Sequence, residues 1–329
     1  MARHEPSSID EIVNQFDAVE IRNPEDPEQI VGRIGLVATL YLPPNPDIAY
    51  RERLGAFVDD FIDQHSLAFQ WRTEVLGEDK MRVRPLATGG RFVEAARRLG
   101  ADAIFSGKAG SSPADHDYPE SVPGTHQIQF FIPSTKRPRE AGYLRFNLPF
   151  AWERDTKGPA LLTLMRELCN LLSPLHGSAG MGFVYPPAHA GAYAAGVNGA
   201  FYAGVHRFPG IDATPPCVGD GELDALPTLN WLTAVYNAFL QRIGGAAAVK
   251  KALESGPFRF YDYPGGVLFQ AGSAPLAGDR EQGNTPIPYR HLYQVLKPLM
   301  LTSVENPFVL DGVSEDEEAM YTAYARRFE

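Results

Sequence analysis

One order of elements occurs twice in the chain, and it constrains the fold more than any single motif. Residues 33–42, RIGLVATLYL, form a strongly apolar run of strand character. PPNPD at 43–47 is a turn that opens an amphipathic helix over about 48–65. Leu54, Phe57, Val58, Phe61 and Ile62 fall on one face of that helix. AFQWRTEV at 68–75 alternates, with Phe69, Trp71, Thr73 and Val75 on one side, and predicts a strand. The order returns further on. YLRFNLPFAW at 143–152 alternates Leu144, Phe146 and Leu148, and Pro159 suits the first turn of a helix through ALLTLMRELCNLLS. AGMGFVY at 179–185 is the strand that follows. Strand, amphipathic helix, strand thus appears twice, an internal duplication of order although the residues do not match.

Between these stretches, RFVEAARRLG at 91–100 reads as a helix, and QIQFFI at 127–132 as a strand that pairs with 143–149. Residues 106–124, rich in Gly, Ser, Pro and Asp, read as a loop. In the last third, TLNWLTAVYNAFLQRIGG at 228–245 predicts a helix. Leu229, Leu232, Tyr236, Phe239 and Ile243 would share a face, Thr228 would be the N-cap and Gly244-Gly245 the stop. AAAVKKAL predicts a short helix, and FRFYDY (258–263) and GVLFQAG (266–272) predict a strand pair around Pro264-Gly265. A final helix is expected over about 288–300. Strands and helices mix without a regular βαβ series. The expected fold class is therefore α+β, a layered fold with a mostly antiparallel sheet packed by helices. The domain reading is an acidic N-terminal arm (1–30), one α+β domain (31–310, in two halves 31–140 and 141–310) and an acidic C-terminal tail (311–329).

Charge supports that division. The net charge of −10 resides at the two ends, with −6 in residues 1–30 and −4 in residues 311–329, and 31–310 is balanced. A protein that binds nucleic acid directly needs a basic surface, and this balance argues against one. The polar start, MARHEPSSIDEIVNQ, argues against a secretory signal, and no run reaches the roughly 18 apolar residues of a membrane span. The expectation is a cytoplasmic protein. Cys169 and Cys217, the two cysteines, have no spacing for zinc; Cys169 lies among leucines and reads as a core thiol.

Tests for catalytic motifs leave two candidates. In LHGSAGMGF (175–183), His176 and Ser178 raise a hydrolase reading, but a triad's Ser and His meet in space rather than two residues apart. His176 reads instead as closing a helix, where the dipole favours it. His116 and His126 flank a loop with Asp115 and Asp117 and raise a metal reading, which chance supplies as readily. The alternative function is accordingly a hydrolase at His176 and Ser178, or a metal-dependent site at His116 and His126. Two segments are locally acidic without a balancing base: 109–120 carries Asp115, Asp117 and Glu120, and 208–241 carries Asp212, Asp220, Glu222 and Asp224.

An ordered set of features in the last third resembles the type VI secretion immunity family, whose members protect bacteria from nuclease effectors. The set begins with PTLNWLTAVYNAFLQRIGG, which has Asn230-Trp231 near its start and Gly244-Gly245 at its end. GVLFQAGSAPLAGD follows, with G-x-x-P-x-x-G-D at Gly272, Pro275, Gly278 and Asp279, and then YRHLYQVLKPL with Tyr289 and Arg290. RFNLPF and LLSPLHGSAGMGF in the middle also look like the family, and the resemblance spans roughly 31–300. It implies an antidote rather than an enzyme, with no cofactor and no metal. The antidote would bind a cognate effector toxin, a basic nuclease domain, and occlude its active site, without touching nucleic acid or membrane. On this reading the 269–283 loop is architectural: Gly272 and Gly278 permit turn conformations, Pro275 fixes the bend, and Asp279 caps the chain or pairs with a base such as Arg290. A groove that holds phosphates is basic, so the implied partner contacts are carboxylates: Asp115, Asp117, Glu120, Asp220, Glu222 and Asp224.

Overall fold

The computed structural model describes residues 9–22, 26–44, 46–77, 80–112, 119–136, 140–155, 160–187, 204–214, 224–301 and 322–329. They build one open sheet of 11 strands with helices packed against it, an α+β fold in which every strand pairing is antiparallel. The strands are β1 (Glu20–Arg22), β2 (Ile30–Leu42), β3 (Trp71–Gly77), β4 (Lys80–Pro85), β5 (Phe105–Gly110), β6 (Gln127–Ile132), β7 (Gly142–Leu148), β8 (His176–Val184), β9 (Leu232–Tyr236), β10 (Phe258–Tyr263) and β11 (Gly266–Ala271). The order across the sheet is β10-β11-β9-β8-β2-β7-β6-β5-β3-β4, and β1 pairs with the first residues of β2. Strand β2 is central, with β7 on one side and β8 on the other. Both strand–helix–strand units are crossovers between strands that run the same way: α2 (Ile48–Gln64) links β2 to β3, and α5 (Ala160–Leu172) links β7 to β8 across β2.

The sheet has an apolar face and a polar face, and period-two alternation decides which residue goes where. Leu36, Ala38, Leu40 and Leu42 of β2 point to the helices, level with Leu144, Phe146 and Leu148 of β7 and with Ile128 and Phe130 of β6. Phe57 and Phe61 of α2 meet Phe146 edge-on at 6.3 and 5.0 Å. Phe92 of α3 (Phe92–Leu99) meets Phe130 at 5.1 Å. Asp47 caps α2, its Oδ1 accepting the Tyr50 N–H at 2.7 Å. No side chain of Arg91 caps α3. Instead Asp59, fully buried on α2, accepts the Phe92 and Val93 N–H groups at 3.1 and 3.0 Å and pairs with Arg72 of β3 at 2.9 Å. One carboxylate thus joins α2, α3 and β3. Helix α5 stops at Ser173, whose φ of 44° is left-handed, just before Pro174.

Two expectations are corrected. The helix over 228–245 is instead strand β9, then α6 (Asn237–Gln241), with Gly244 at φ 98° leading into α7 (Gly245–Leu253). Thr228 is therefore no N-cap. LTAVY is buried on both faces between β8 and β11, and a doubly buried strand has no alternation to distinguish it from a helix face. Just before β9 the Asn230 Oδ1 accepts the Trp231 N–H at 2.8 Å. The stretch 106–124 is also not all loop: its first residues form β5. Gly107 and Gly110 look like turn residues, but a Cβ at Gly107 would lie 2.5 Å from the Phe92 ring, and one at Gly110 2.7 Å from Trp71. These glycines serve close packing within a strand. The other elements lie where expected, including the β6–β7 pairing, the β10–β11 hairpin and the helix expected over about 288–300, which is α8 (Ile287–Leu296) followed by a 3-10 turn at Lys297–Leu299. No helix among the described residues is long and apolar enough to cross a membrane.

Candidate functional site

The face turned away from the helices carries an unbroken polar row across six strands. Lys108 pairs with Gln129, Gln129 with Arg145, Arg145 with Thr39, Thr39 with Ser178, and Ser178 with Thr233. Cross-strand partners share a face, so the six side chains lie side by side. All are buried except Lys108, which is half-buried. Arg145 is the hub. Its Nε donates to Asn147 Oδ1 at 3.0 Å, its Nη1 to Thr39 Oγ1 and the Thr214 carbonyl at 3.1 and 2.9 Å, and its Nη2 to the Phe183 carbonyl at 2.7 Å. Asn147 passes the chain on to Gln127 at 2.8 Å. Burial pulls the Arg145 guanidinium below its usual value, and Asp212 opposes that pull.

A second hub lies beside it. Asp212 pairs in parallel with Gly182 of β8 and receives hydrogen bonds from Ser178 Oγ (3.2 Å), the Thr214 N–H (2.8 Å) and the Tyr324 hydroxyl (2.7 Å). The segment can approach β8 closely because Gly180 and Gly182 present no side chain: a Cβ at Gly180 would collide with the Asn230 amide, and one at Gly182 would lie 3.0 Å from the Asp212 carbonyl.

His176 and Ser178 fall inside this buried layer, and neither is placed as expected. His176 does not close a helix; it is the first residue of β8 and is fully buried. Its Nδ1 donates to the Ala234 carbonyl at 3.0 Å, and its ring stacks on Tyr41 at 5.9 Å. The Ser178 hydroxyl donates to Asp212, not to His176. A serine activated by a neighbouring imidazole is not formed here. Burial instead holds the His176 imidazole down at about 4. The neutral ring is the folded form, and unfolding restores a value near 6.5. The unfolded chain therefore takes up a proton that the folded chain refuses. This contribution to stability is complete above about pH 6.5 and is lost as pH falls towards 4. Lowering the pH from about 7 to about 5 should cost roughly 2 kcal/mol through this residue. Urea unfolding of the parent and His176→Gln at both values checks it; equal acid losses in the two proteins would refute the assignment. His126 behaves alike, held down to about 4 by burial with a further push from His65.

The residues of the resemblance are scaffold contacts. Asn230 donates from Nδ2 to the Met181 carbonyl at 2.9 Å, and Trp231 donates from Nε1 to the Gly272 carbonyl at 3.1 Å. Gly272 and Gly278 have φ of 91° and 69°, in the left-handed region that glycine alone occupies without strain. Pro275 is buried between them, and the Tyr289 hydroxyl, fully buried, accepts the Leu276 N–H at 2.9 Å. Asp279 caps the short turn Arg280–Gln282 through the Glu281 N–H at 3.0 Å. Its cation is Arg207, at 2.9 Å, rather than Arg290, which is exposed. Arg207 also reaches Glu281 at 2.8 Å and holds the Asp279 carboxyl below its ordinary range.

Of the six loop acids, Glu120 and Asp224 lie among the described residues; Asp115, Asp117, Asp220 and Glu222 lie outside them, as does His116. Glu120 sits on a short 3-10 turn, half-buried, with Oε2 unpartnered. Burial pulls the Lys108 ammonium below its usual value, and Glu120 opposes that pull. Asp224 is exposed, and its carbonyl accepts from Arg242 Nη1. Both loops root on the polar face of the sheet. Trp71, level with Gly110 and Gln127, donates to Ser112 Oγ at 2.8 Å, and Ser112 donates to the Pro119 carbonyl at 2.6 Å. On the other side the Thr214 carbonyl is held by Arg145. Among the described residues no group of three or more His, Cys, Asp or Glu could hold a metal ion. Sequence reasoning missed Arg145, Tyr324 and Arg327, and it placed Asp212 in an acidic loop where the structure buries it. The one available signal was Arg145 and Asn147 interleaved with apolar residues in a strand at the centre of the sheet.

Comparisons with known proteins agree with this architecture. The model of the family described as type VI immunity for VRR-NUC matches residues 92–328. A Pseudomonas aeruginosa T6SS protein of solved structure is similar over 97% of this chain and 90% of its own, with a TM-score of 0.77 and 21% identity, and so shares the fold. No curated protein matches the chain significantly. The family match runs from α3 through the polar face to Phe328, well over half the sequence, and the chain belongs to the family of type VI immunity proteins for VRR-NUC.

Proposed function

We propose that this protein is the antidote to a VRR-NUC nuclease effector of type VI secretion, and that it works by covering the nuclease's active surface rather than by chemistry of its own. The observation that carries the reading is the family match over 92–328. The buried, non-catalytic settings of His176 and Ser178 support it. A nuclease groove is basic because it binds phosphates, so the contact surface of the antidote is carboxylate-bearing. The described residues that border these two acidic segments, Ser112 and Pro119 at one and Thr214 at the other, lie on the polar face of the sheet. We assign the contact to that face, and the site of action to the cytoplasm, where an incoming nuclease would meet DNA.

Co-expression with the VRR-NUC effector encoded beside the gene tests the proposal. The parent protein should restore survival. Changing the six loop acids to Asn or Gln should abolish rescue while the circular dichroism spectrum is retained. Rescue by both proteins would move the contact to another face. Failure of the parent against a demonstrably toxic nuclease would reject the antidote reading for that partner.

A further inference from the structure

One member of the polar layer has a side chain whose hydrogen bonds the chain itself does not supply. Gln127, Arg145 and Asn147 each bond to a neighbour. Gln129 stands between Arg145 and Lys108 in the row and is 2% exposed, and neither its Oε1 nor its Nε2 has a partner in the chain. Among the described residues no other side chain has two such atoms. A buried amide left without partners is costly, and native interiors rarely contain one. Two further polar groups adjoin it. Lys108, directly opposite on β5, is half-buried, and among the described residues no carboxylate lies at ion-pair distance from its ammonium. Glu120, on the Pro119–Ser121 turn, keeps a buried, unpartnered Oε2 and is close enough to Lys108 to oppose the effect of burial on it.

We infer that Gln129, Lys108 and Glu120 form an internal binding site for water, and that this water ties the Pro119–Ser121 turn to the sheet. The donors and acceptors present decide the ligand. Gln129 offers two N–H donors and a carbonyl acceptor, Lys108 offers donors only, and the Glu120 oxygen only accepts. An anion would face Glu120 and leave the Gln129 carbonyl unpaired. A cation would face Lys108 and, one strand beyond Gln129, Arg145. Water donates twice and accepts twice, and buried waters typically make about three hydrogen bonds to groups otherwise left unsatisfied. One water, or two in contact, can accept from the Gln129 amide and the Lys108 ammonium and donate to the Gln129 carbonyl and the Glu120 carboxylate. The turn is held directly by Ser112, which donates to the Pro119 carbonyl at 2.6 Å, and by Gln127 Nε2, which donates to the Val122 carbonyl at 3.4 Å. The water adds a tie through Glu120. This site does not depend on which partner the protein binds.

A crystal structure of the full chain, at a resolution that shows ordered water, tests the site directly. Water should lie within about 3 Å of the Gln129 amide and of Lys108 or Glu120. A Gln129 amide packed dry, or bonded to another side chain or to an ion, overturns the inference. Hydrogen exchange in solution tests what the water does. Gln129→Met keeps the length of the side chain and removes both polar atoms. It should speed exchange of the amides of residues 120–122 by on the order of fivefold, the loss expected for one hydrogen bond, and leave exchange in β2 unchanged. Unchanged exchange at 120–122 overturns the tie to the turn. A variant that also resists denaturant better than the parent would show that the parent amide is dry, since removing an unpaired polar group relieves its cost. If Gln129→Met fails to fold, Glu120→Ala carries the same exchange comparison from the half-buried side of the site.

Discussion

Arg145→Ala is expected to destabilise the protein by about 3–5 kcal/mol. The guanidinium is fully buried and fills four acceptors at once: the Asn147 amide, the Thr39 hydroxyl and the carbonyls of Thr214 and Phe183. Alanine leaves those oxygens without this donor and opens a cavity in the middle of the sheet. Removing a charge from a buried site offsets part of that cost, but not the loss of four partners. Arg145→Lys should recover little, because one ammonium cannot span acceptors arranged around a planar fork. Denaturant unfolding measures both variants. A loss below about 1 kcal/mol for Arg145→Ala would mean that the polar layer is filled by water at no net cost.

Asp59→Ala should be of similar size, about 3–5 kcal/mol, for a different reason. Here a buried partner keeps its charge: Arg72, 5% exposed, loses the carboxylate at 2.9 Å. The first turn of α3 loses its cap at the same moment, since Phe92 and Val93 donate to Asp59 and Arg91 supplies no side-chain cap. Asp59→Asn should be milder, because the amide oxygen can still accept one backbone N–H. Thermal unfolding followed at a helix wavelength would show the order parent, Asn, Ala. Equal midpoints for Asn and Ala would assign the effect to the lost charge alone.

The legible and illegible parts of this fold divide along physical lines. Elements with one apolar and one polar face were readable, because that contrast imposes a period whether or not the polar face is covered. Leu54, Phe57, Val58, Phe61 and Ile62 marked α2 correctly, and alternation marked β7. Elements without that contrast lost the mark. β9 was mistaken for a helix, and β5 was hidden by glycines that exist to admit the rings of Phe92 and Trp71. The polar layer was illegible for a related reason. Arg145 and Asn147 alternate with core residues as solvent-facing residues do, and their burial depends on tertiary contacts such as the Thr214 carbonyl on Arg145, which nothing local announces. Asp279 was recognisable as a capping residue from its place after glycine, but its partner Arg207 stands too far away in sequence to be inferred. Tyr324 and Arg327 sat in what read as an acidic tail, where nothing local announces that both are buried against residues 209–214.

The central place of β2 has a consequence for how the molecule is made. This strand precedes both of its flanking partners in the sequence, since β7 and β8 end at residues 148 and 184. Before they are synthesised β1 alone can pair with β2, at residues 30–33, and the rest of IVGRIGLVATLYL has open edges and an apolar side to cover. Pairings of such wide separation form late, and an open apolar strand invites pairing with other chains in the interval. A nascent chain of this protein is thus most in need of a chaperone while residues 43–184 are being translated. Crowding several copies on one message would favour aggregation in that interval.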